Sequence, residues 1–320
     1  MMRTRMILPS IEPGAISRAP AIPASPIAVQ IGSNRDRGPP PANRGGAMEP
    51  FVEVDWLAQR LEDPALAIVD ARSMPLTMYY ASFGREQYLM GHVPGAIHLD
   101  YVTDLRDPQT PYAALVAPAN RFADAMRNAG IGDDTTVVAY DGGEFPYAAR
   151  LVWMLQYYGH DAATILNGGI DAWMRAGLPR ETEIPVRDVR EFTPRVRPEL
   201  RAAREEVLAV VERPSDAQLL SVLGDAAYAM RDRDIPVARR LSCSLLFDEI
   251  EGGRLISSER LASVTADLDP HKRTIAFCSN GVSAAGAYVA LRAAGFSDVA
   301  VYDGSLADWT HHNLPTVATR

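Results

Sequence analysis

Thr274-Ile275-Ala276-Phe277-Cys278-Ser279-Asn280-Gly281-Val282-Ser283-Ala284 runs from an apolar, β-branched segment through a cysteine and a loop of small residues into an alanine-rich stretch that reaches Ala294. The first part predicts a buried strand, Thr274 to Cys278, and the last part a helix, Ala284 to Ala294. Between them Gly281 predicts a tight turn, because glycine takes positive φ angles without a steric penalty. Strand, short loop and helix in that order make one unit of a parallel α/β sheet. A cysteine at the carboxyl end of such a strand stands where sites form in open parallel sheets.

The same order occurs earlier in the chain. Val137-Val138-Ala139-Tyr140-Asp141 echoes Thr274 to Cys278, and a helix from Ala148 to Tyr158 ends at Gly159 as the later one ends at Gly295. Asn167-Gly168-Gly169 precedes Trp173 as Asp303-Gly304-Ser305 precedes Trp309. Asp141 lies 32 residues before Trp173, and Cys278 lies 31 before Trp309. One residue of slip over such a span predicts two copies of one domain. Upstream of each copy the reading also repeats. A helix from Val54 to Leu61 and a strand ending at Asp70 match a helix from Arg201 to Glu212 and a strand from Gln218 to Leu223. A helix from Asn120 to Ala129 and strands Thr136–Tyr140 and Ala163–Leu166 complete the first copy. The fold class is therefore α/β: two tandem domains, each a parallel sheet with helices on both faces. The expected boundaries are 49–182 and 199–320, joined by a proline-bearing linker, 183–198.

Composition narrows the function classes. The chain has 320 residues, 47% hydrophobic and 22% charged, enough for two full cores. A net charge of −8 argues against a general nucleic-acid binder. No uncharged apolar run approaches 18 residues, so no transmembrane helix and no membrane partner are expected. Two cysteines exclude a disulfide-built scaffold and a four-cysteine zinc site, and they fit a reducing compartment. His311-His312 lacks a third ligand, so no metal is expected. Residues 1–48 hold 8 of the 24 prolines and six arginines against two acidic residues. They read as a disordered N-terminal extension, with Met48 as the preferred functional start. The expected location is cytoplasmic; the alternative is an organelle reached through residues 1–48.

The chemistry centres on Cys278. A helix N-terminus just after it presents unpaired N–H groups and a partial positive charge, and a loop of small residues turns further amides inward. Both favour thiolate over thiol, and the thiolate is the nucleophile. Cys243, in Leu241-Ser242-Cys243-Ser244-Leu245 with no glycine loop, reads as structural, and nothing pairs it with Cys278. Trp153, Trp173 and Trp309 read as packing residues, and Asp70 with Arg72 as a structural ion pair.

Over residues 51–320 the chain resembles the tandem-domain rhodanese family, the thiosulfate and 3-mercaptopyruvate sulfurtransferases. The first half carries Val69-Asp70-Ala71-Arg72, Gly91-His92-Val93-Pro94-Gly95-Ala96, Tyr147-Ala148-Ala149-Arg150-Leu151-Val152-Trp153-Met154-Leu155 and Leu166-Asn167-Gly168-Gly169. The second carries the Cys278-Ser279-Asn280-Gly281-Val282-Ser283 loop and Tyr302-Asp303-Gly304-Ser305. The resemblance implies two rhodanese domains, the first catalytically silent, and Asp141 stands where that domain would need its cysteine. It implies a two-step transfer: Cys278 takes a sulfane sulfur from a small anionic donor, 3-mercaptopyruvate or thiosulfate. The persulfide then passes that sulfur to cyanide, a thiol or a thioredoxin-like acceptor. No cofactor is implied. Arg85 and His92 are the substrate-binding candidates; the alternatives are that Arg85 pairs with acidic neighbours and that His92 orients the chain at the domain interface. The uncharged loop Ser279, Asn280, Gly281, Val282, Ser283 is nearer the mercaptopyruvate-preferring pattern than the cationic loop of thiosulfate-preferring members.

Three departures from the family pattern bear on function. Asp171 replaces an arginine expected after Gly168-Gly169-Ile170, with Arg150, Arg175 or Arg180 as candidate substitutes. Ser221-Val222-Leu223 replaces the second Asp-x-Arg signature. Arg233-Asp234-Ile235-Pro236-Val237-Ala238 replaces the second Gly-His-Ile-Pro-Gly-Ala run. They motivate the alternative of a low-turnover persulfide carrier or scaffold. A phosphatase-like cysteine enzyme is a third reading, disfavoured because Ser283 and Ala284 stand where such a loop needs arginine.

Overall fold

A computed structural model describes residues 48–74, 83–143, 146–214, 216–248 and 250–319. The extension expected to be disordered lies, up to residue 47, outside the described residues. The first half comprises β1 (Phe51–Val52), α1 (Val54–Ala58), β2 (Leu66–Asp70), α2 (Phe83–Met90), β3 (Ile97–His98), α3 (Ala119–Asn128), β4 (Thr136–Tyr140), α4 (Tyr147–Tyr157), β5 (Ala163–Leu166) and α5 (Gly169–Arg175). Its five strands form one parallel sheet in the order β1-β5-β4-β2-β3. The second half begins with α6 (Arg204–Glu212), β6 (Gln218–Ser221), α7 (Asp225–Ala229), β7 (Arg233–Asp234) and β8 (Arg239–Arg240). It continues with β9 (Phe247–Asp248), β10 (Arg254–Leu255), α8 (Ser258–Val264), β11 (Thr274–Phe277), α9 (Val282–Ala293), β12 (Val299–Val301), α10 (Ser305–His311) and β13 (Val317–Ala318). Its main sheet is parallel in the order β12-β11-β6-β8. No described helix is long and apolar enough to cross a membrane.

Hydrogen bonds repeat between the halves. Trp173 Nε1 donates to the Pro179 carbonyl at 2.7 Å, and Trp309 Nε1 donates to the Pro315 carbonyl at 2.7 Å. Both indoles are fully buried, so each N–H needs such a partner. The helices α4 and α9 end alike, with His160 N–H on the Leu155 carbonyl and Phe296 N–H on the Leu291 carbonyl, the bond of a Schellman cap.

These two helices join the halves. α4 and α9 pack together, and each is buried on nearly every side, as a helix apolar all round must be. Small residues on α9 permit the approach: a Cβ on Gly286 would sit 2.7 Å from Pro146 Cγ. One hydrophobic cluster runs through both halves, whereas a second, around Leu57, Ile68 and Trp173, belongs to the first half alone.

The paired run shows what its divergence did. In the first half Arg72 holds Asp70 in a buried bidentate pair, and Tyr140 Oη donates to the same carboxylate at 2.8 Å. The run Gly91–Ala96 turns at Gly95, with φ +76, and the matching run Arg233–Ala238 turns at Val237 with φ +61. The backbone kept its left-handed turn where the sequence lost its glycine.

Candidate active site

Cys278 follows β11 directly and is 3% exposed. Its loop is held from two sides. On one, Gly281 adopts φ +81 as the N-cap of α9 and donates its N–H to Cys278 Sγ at 3.1 Å. On the other, the first turn of α10 grips the strand end: Cys278 N–H donates to Ser305 Oγ at 3.0 Å, and the Cys278 carbonyl accepts Leu306 N–H at 3.1 Å. Ser305 is fully buried and passes its own proton to the Tyr302 carbonyl at 2.8 Å. Its hydroxyl is thereby oriented to accept from Cys278.

Asp141 occupies the matching place in the first half. Its carbonyl accepts Ile170 N–H at 3.0 Å, as that of Cys278 accepts Leu306 N–H. Its carboxylate takes two inward N–H groups for itself, Gly143 at 2.9 Å on Oδ1 and Ala148 at 2.8 Å on Oδ2. The anion cradle of the first half is filled by its own side chain. Burial pushes the Asp141 carboxyl up to about 6 against the opposing pull of these two N–H bonds.

A cleft of about 1060 Å³ opens over the cysteine. Cys278, Ser279, Asn280, Val282 and Ser283 line it, while Gly281 turns back toward Asp303, whose carbonyl oxygen would lie 2.6 Å from an added Cβ. Tyr101, Asp141, Tyr147 and Asp171 contribute the wall from the first half. Among the described residues lining this cleft, Arg231 is the one cation, and its Nη2 donates to Ser279 Oγ at 2.6 Å.

Several expectations need correction. His92 is fully buried and stacked on Tyr88 at 3.9 Å; its ring nitrogens face the carbonyl oxygens of Tyr88 at 2.8 Å and Glu183 at 3.1 Å. Its burial and these contacts fit a residue that orients the chain of its own half, away from the cleft. Arg85 is exposed on α2, and neither residue lines the cleft. Arg150, Arg175 and Arg180 do not line it either. Cys243, in contrast, lines the cleft and donates its Sγ to the Ser283 carbonyl at 3.8 Å, and no disulfide joins it to Cys278.

A model of the Rhodanese-like domain matches residues 53–176 and again 205–312. The chain belongs to the rhodanese family. This rhodanese is 30% identical over 275 residues to the 3-mercaptopyruvate sulfurtransferase of Escherichia coli K12, covering 81% of the chain and 94% of that relative. It is 31% identical over 282 residues to the thiosulfate sulfurtransferase of Cricetulus griseus, covering 83% and 93%. The crystal structure of SseA from Escherichia coli, a 3-mercaptopyruvate sulfotransferase with the rhodanese fold, superposes with a TM-score of 0.73 at 30% identity, covering 81% of this chain and 99% of that one. Arg231 and Ser305 are site residues that sequence reasoning missed. The run Tyr302-Asp303-Gly304-Ser305 was visible as a repeat, but its grip on Cys278 was not. Arg231 sits in the diverged stretch, where no motif marks it.

Proposed function

We propose that this rhodanese is a sulfurtransferase that carries sulfur on Cys278. The observation that bears the reading is the Cys278 sulfur accepting the Gly281 N–H at the floor of a cleft, while its counterpart in the other half is a carboxylate. A carboxylate cannot hold a sulfane sulfur, so the first half is silent and the second works. In the first step the Cys278 thiolate attacks the sulfur of the donor. From thiosulfate the S–S bond breaks and sulfite leaves with its electron pair. From 3-mercaptopyruvate the C–S bond breaks, pyruvate leaves as its enolate, and that carbon takes the thiol proton. Either way Cys278 becomes a persulfide anion. In the second step cyanide, a thiol or a thioredoxin-like dithiol attacks the outer sulfur, and the Cys278 thiolate returns.

The site chemistry favours 3-mercaptopyruvate. Its single carboxylate matches the one cation, Arg231, whereas dianionic thiosulfate meets a loop with no charge of its own and Asp171 across the cleft. The same acidic residue favours the second reading, a persulfide carrier with slow turnover. Two cysteines without a disulfide suit a reducing compartment, and we place the enzyme in the cytoplasm. The test is side-by-side kinetics with the two donors and cyanide. Pyruvate release should exceed sulfite release in kcat/KM, and Cys278→Ser should reduce both to background. Full turnover by Cys278→Ser removes the mechanism; a slow steady state with stoichiometric sulfur loading selects the carrier.

A further inference from the structure

Arg150 lies on α4 of the first half yet touches the loop of the second. It is fully buried, donates from Nη2 to the Ala114 carbonyl and from Nη1 to the Gly281 carbonyl at 3.3 Å, and its Nε has no hydrogen-bond partner among the described residues. Its nearest carboxylate oxygen is Asp303 Oδ2, at 3.9 Å. Asp303 is already engaged, with Arg201 Nε on Oδ1 at 2.9 Å and Val116 N–H on Oδ2 at 2.9 Å. Two guanidinium groups thus share one buried carboxylate, and the cluster carries one positive charge in excess. A buried charge in excess is unfavourable unless a counter-ion lies near. The Cys278 sulfur is joined to Arg150 through one residue: Gly281 gives its N–H to the sulfur and its carbonyl to the arginine.

We propose that Arg150, supplied by the silent half, is a positioning residue that braces the Cys278 loop from behind and carries the counter-charge for its anionic sulfur. This rests on the sulfur-transfer reading and adds a role for the silent half, which completes the electrostatics of a site it does not itself possess. Burial pulls the Arg150 guanidinium down, and the Asp303 carboxylate and the Cys278 sulfur push it back up. Other titratable groups line the cleft that opens over the sulfur: Asp141 and Asp171, Asp225, Arg231 and Cys243, with Tyr101 and Tyr147. Of these Asp225 is paired with Arg240, and Arg231 is bonded to Ser279.

The test is the pH dependence of iodoacetamide alkylation of Cys278, read by mass spectrometry of its own peptide in the full chain without any donor. Reading the peptide separates Cys278 from Cys243, and omitting the donor separates this result from the failure of sulfur transfer itself. Arg150→Met should move the midpoint of the alkylation profile upward by about one pH unit, and Arg150→Lys should restore most of it. Asp303→Asn, which enlarges the positive excess, should move it downward. An unchanged midpoint in folded Arg150→Met overturns the proposal. So does an upward move in Asp303→Asn, since that marks a loop that has merely collapsed. Should Arg150→Met not fold, Arg150→Gln, which removes the same charge, takes its place with the same expected upward move, and an unchanged midpoint there overturns the proposal.

Discussion

Val237 shows a residue kept in a conformation chosen for another. Its φ of +61 matches the +76 of Gly95 in the first half, and a β-branched side chain there is strained. Left-handed backbone costs an L-residue roughly 1–2 kcal/mol, and glycine gives back about 0.5–1 kcal/mol through its freer unfolded chain. Val237→Gly should therefore stabilise the protein by about 1 kcal/mol, seen as a higher urea midpoint at unchanged slope. Asp141 gives the second prediction at this scale. Its folded carboxyl, at about 6, binds a proton more tightly than an unfolded one at about 3.9. Its contribution to stability is therefore full below pH 4 and is lost as pH rises through 6, a change of about 3 kcal/mol. The melting temperature of the wild type should fall relative to that of Asp141→Asn between pH 4.5 and 7; parallel curves contradict the assignment. Single residues were the least legible part of the sequence. Cys278 was visible because its loop is local. Arg231, the inward burial of His92 and the reach of Arg150 depend on contacts between distant segments, which no spacing records.

At the scale of elements the periodic signals held. β4 was read at its observed limits, and α4 and α9 were found with their glycine stops. The errors fell at helix ends. α9 begins at Val282 rather than Ala284, because Gly281 serves as the N-cap, and α1 starts at Val54 as expected but stops at Ala58 rather than Leu61. The early start of α9 matters, since it brings the first turn of the helix directly under the sulfur. Gly281 is the hinge of that arrangement. A Cβ there would meet the Asp303 carbonyl oxygen at 2.6 Å and Arg150 Nη1 at 2.8 Å, in a backbone region closed to most side chains. Gly281→Ala should displace the loop and lower kcat/KM by about 100-fold. A variant with near wild-type kinetics would show that the loop does not need this geometry.

Across the molecule, two copies of one fold carry different groups at the matching point, a carboxylate in the first and a thiol in the second. The repeat was legible from the recurrence of strand ends, glycine stops and tryptophans at matching intervals. That α4 and α9 would be buried against each other, so that one hydrophobic cluster serves both halves, was not. Each helix is apolar on every side, and periodicity alone does not say what covers such a helix. The first half fills its cradle with Asp141 and lends a wall and Arg150 to the second. The second keeps a sulfur at the matching point, held by the Gly281 N–H. The measurement that tests this division most directly is the intact mass of the protein, with peptide mapping, after 3-mercaptopyruvate and removal of excess donor. The account predicts one added sulfur atom, on Cys278, discharged by cyanide and absent in Cys278→Ser; sulfur found on Cys243 instead, or on neither cysteine, would contradict it.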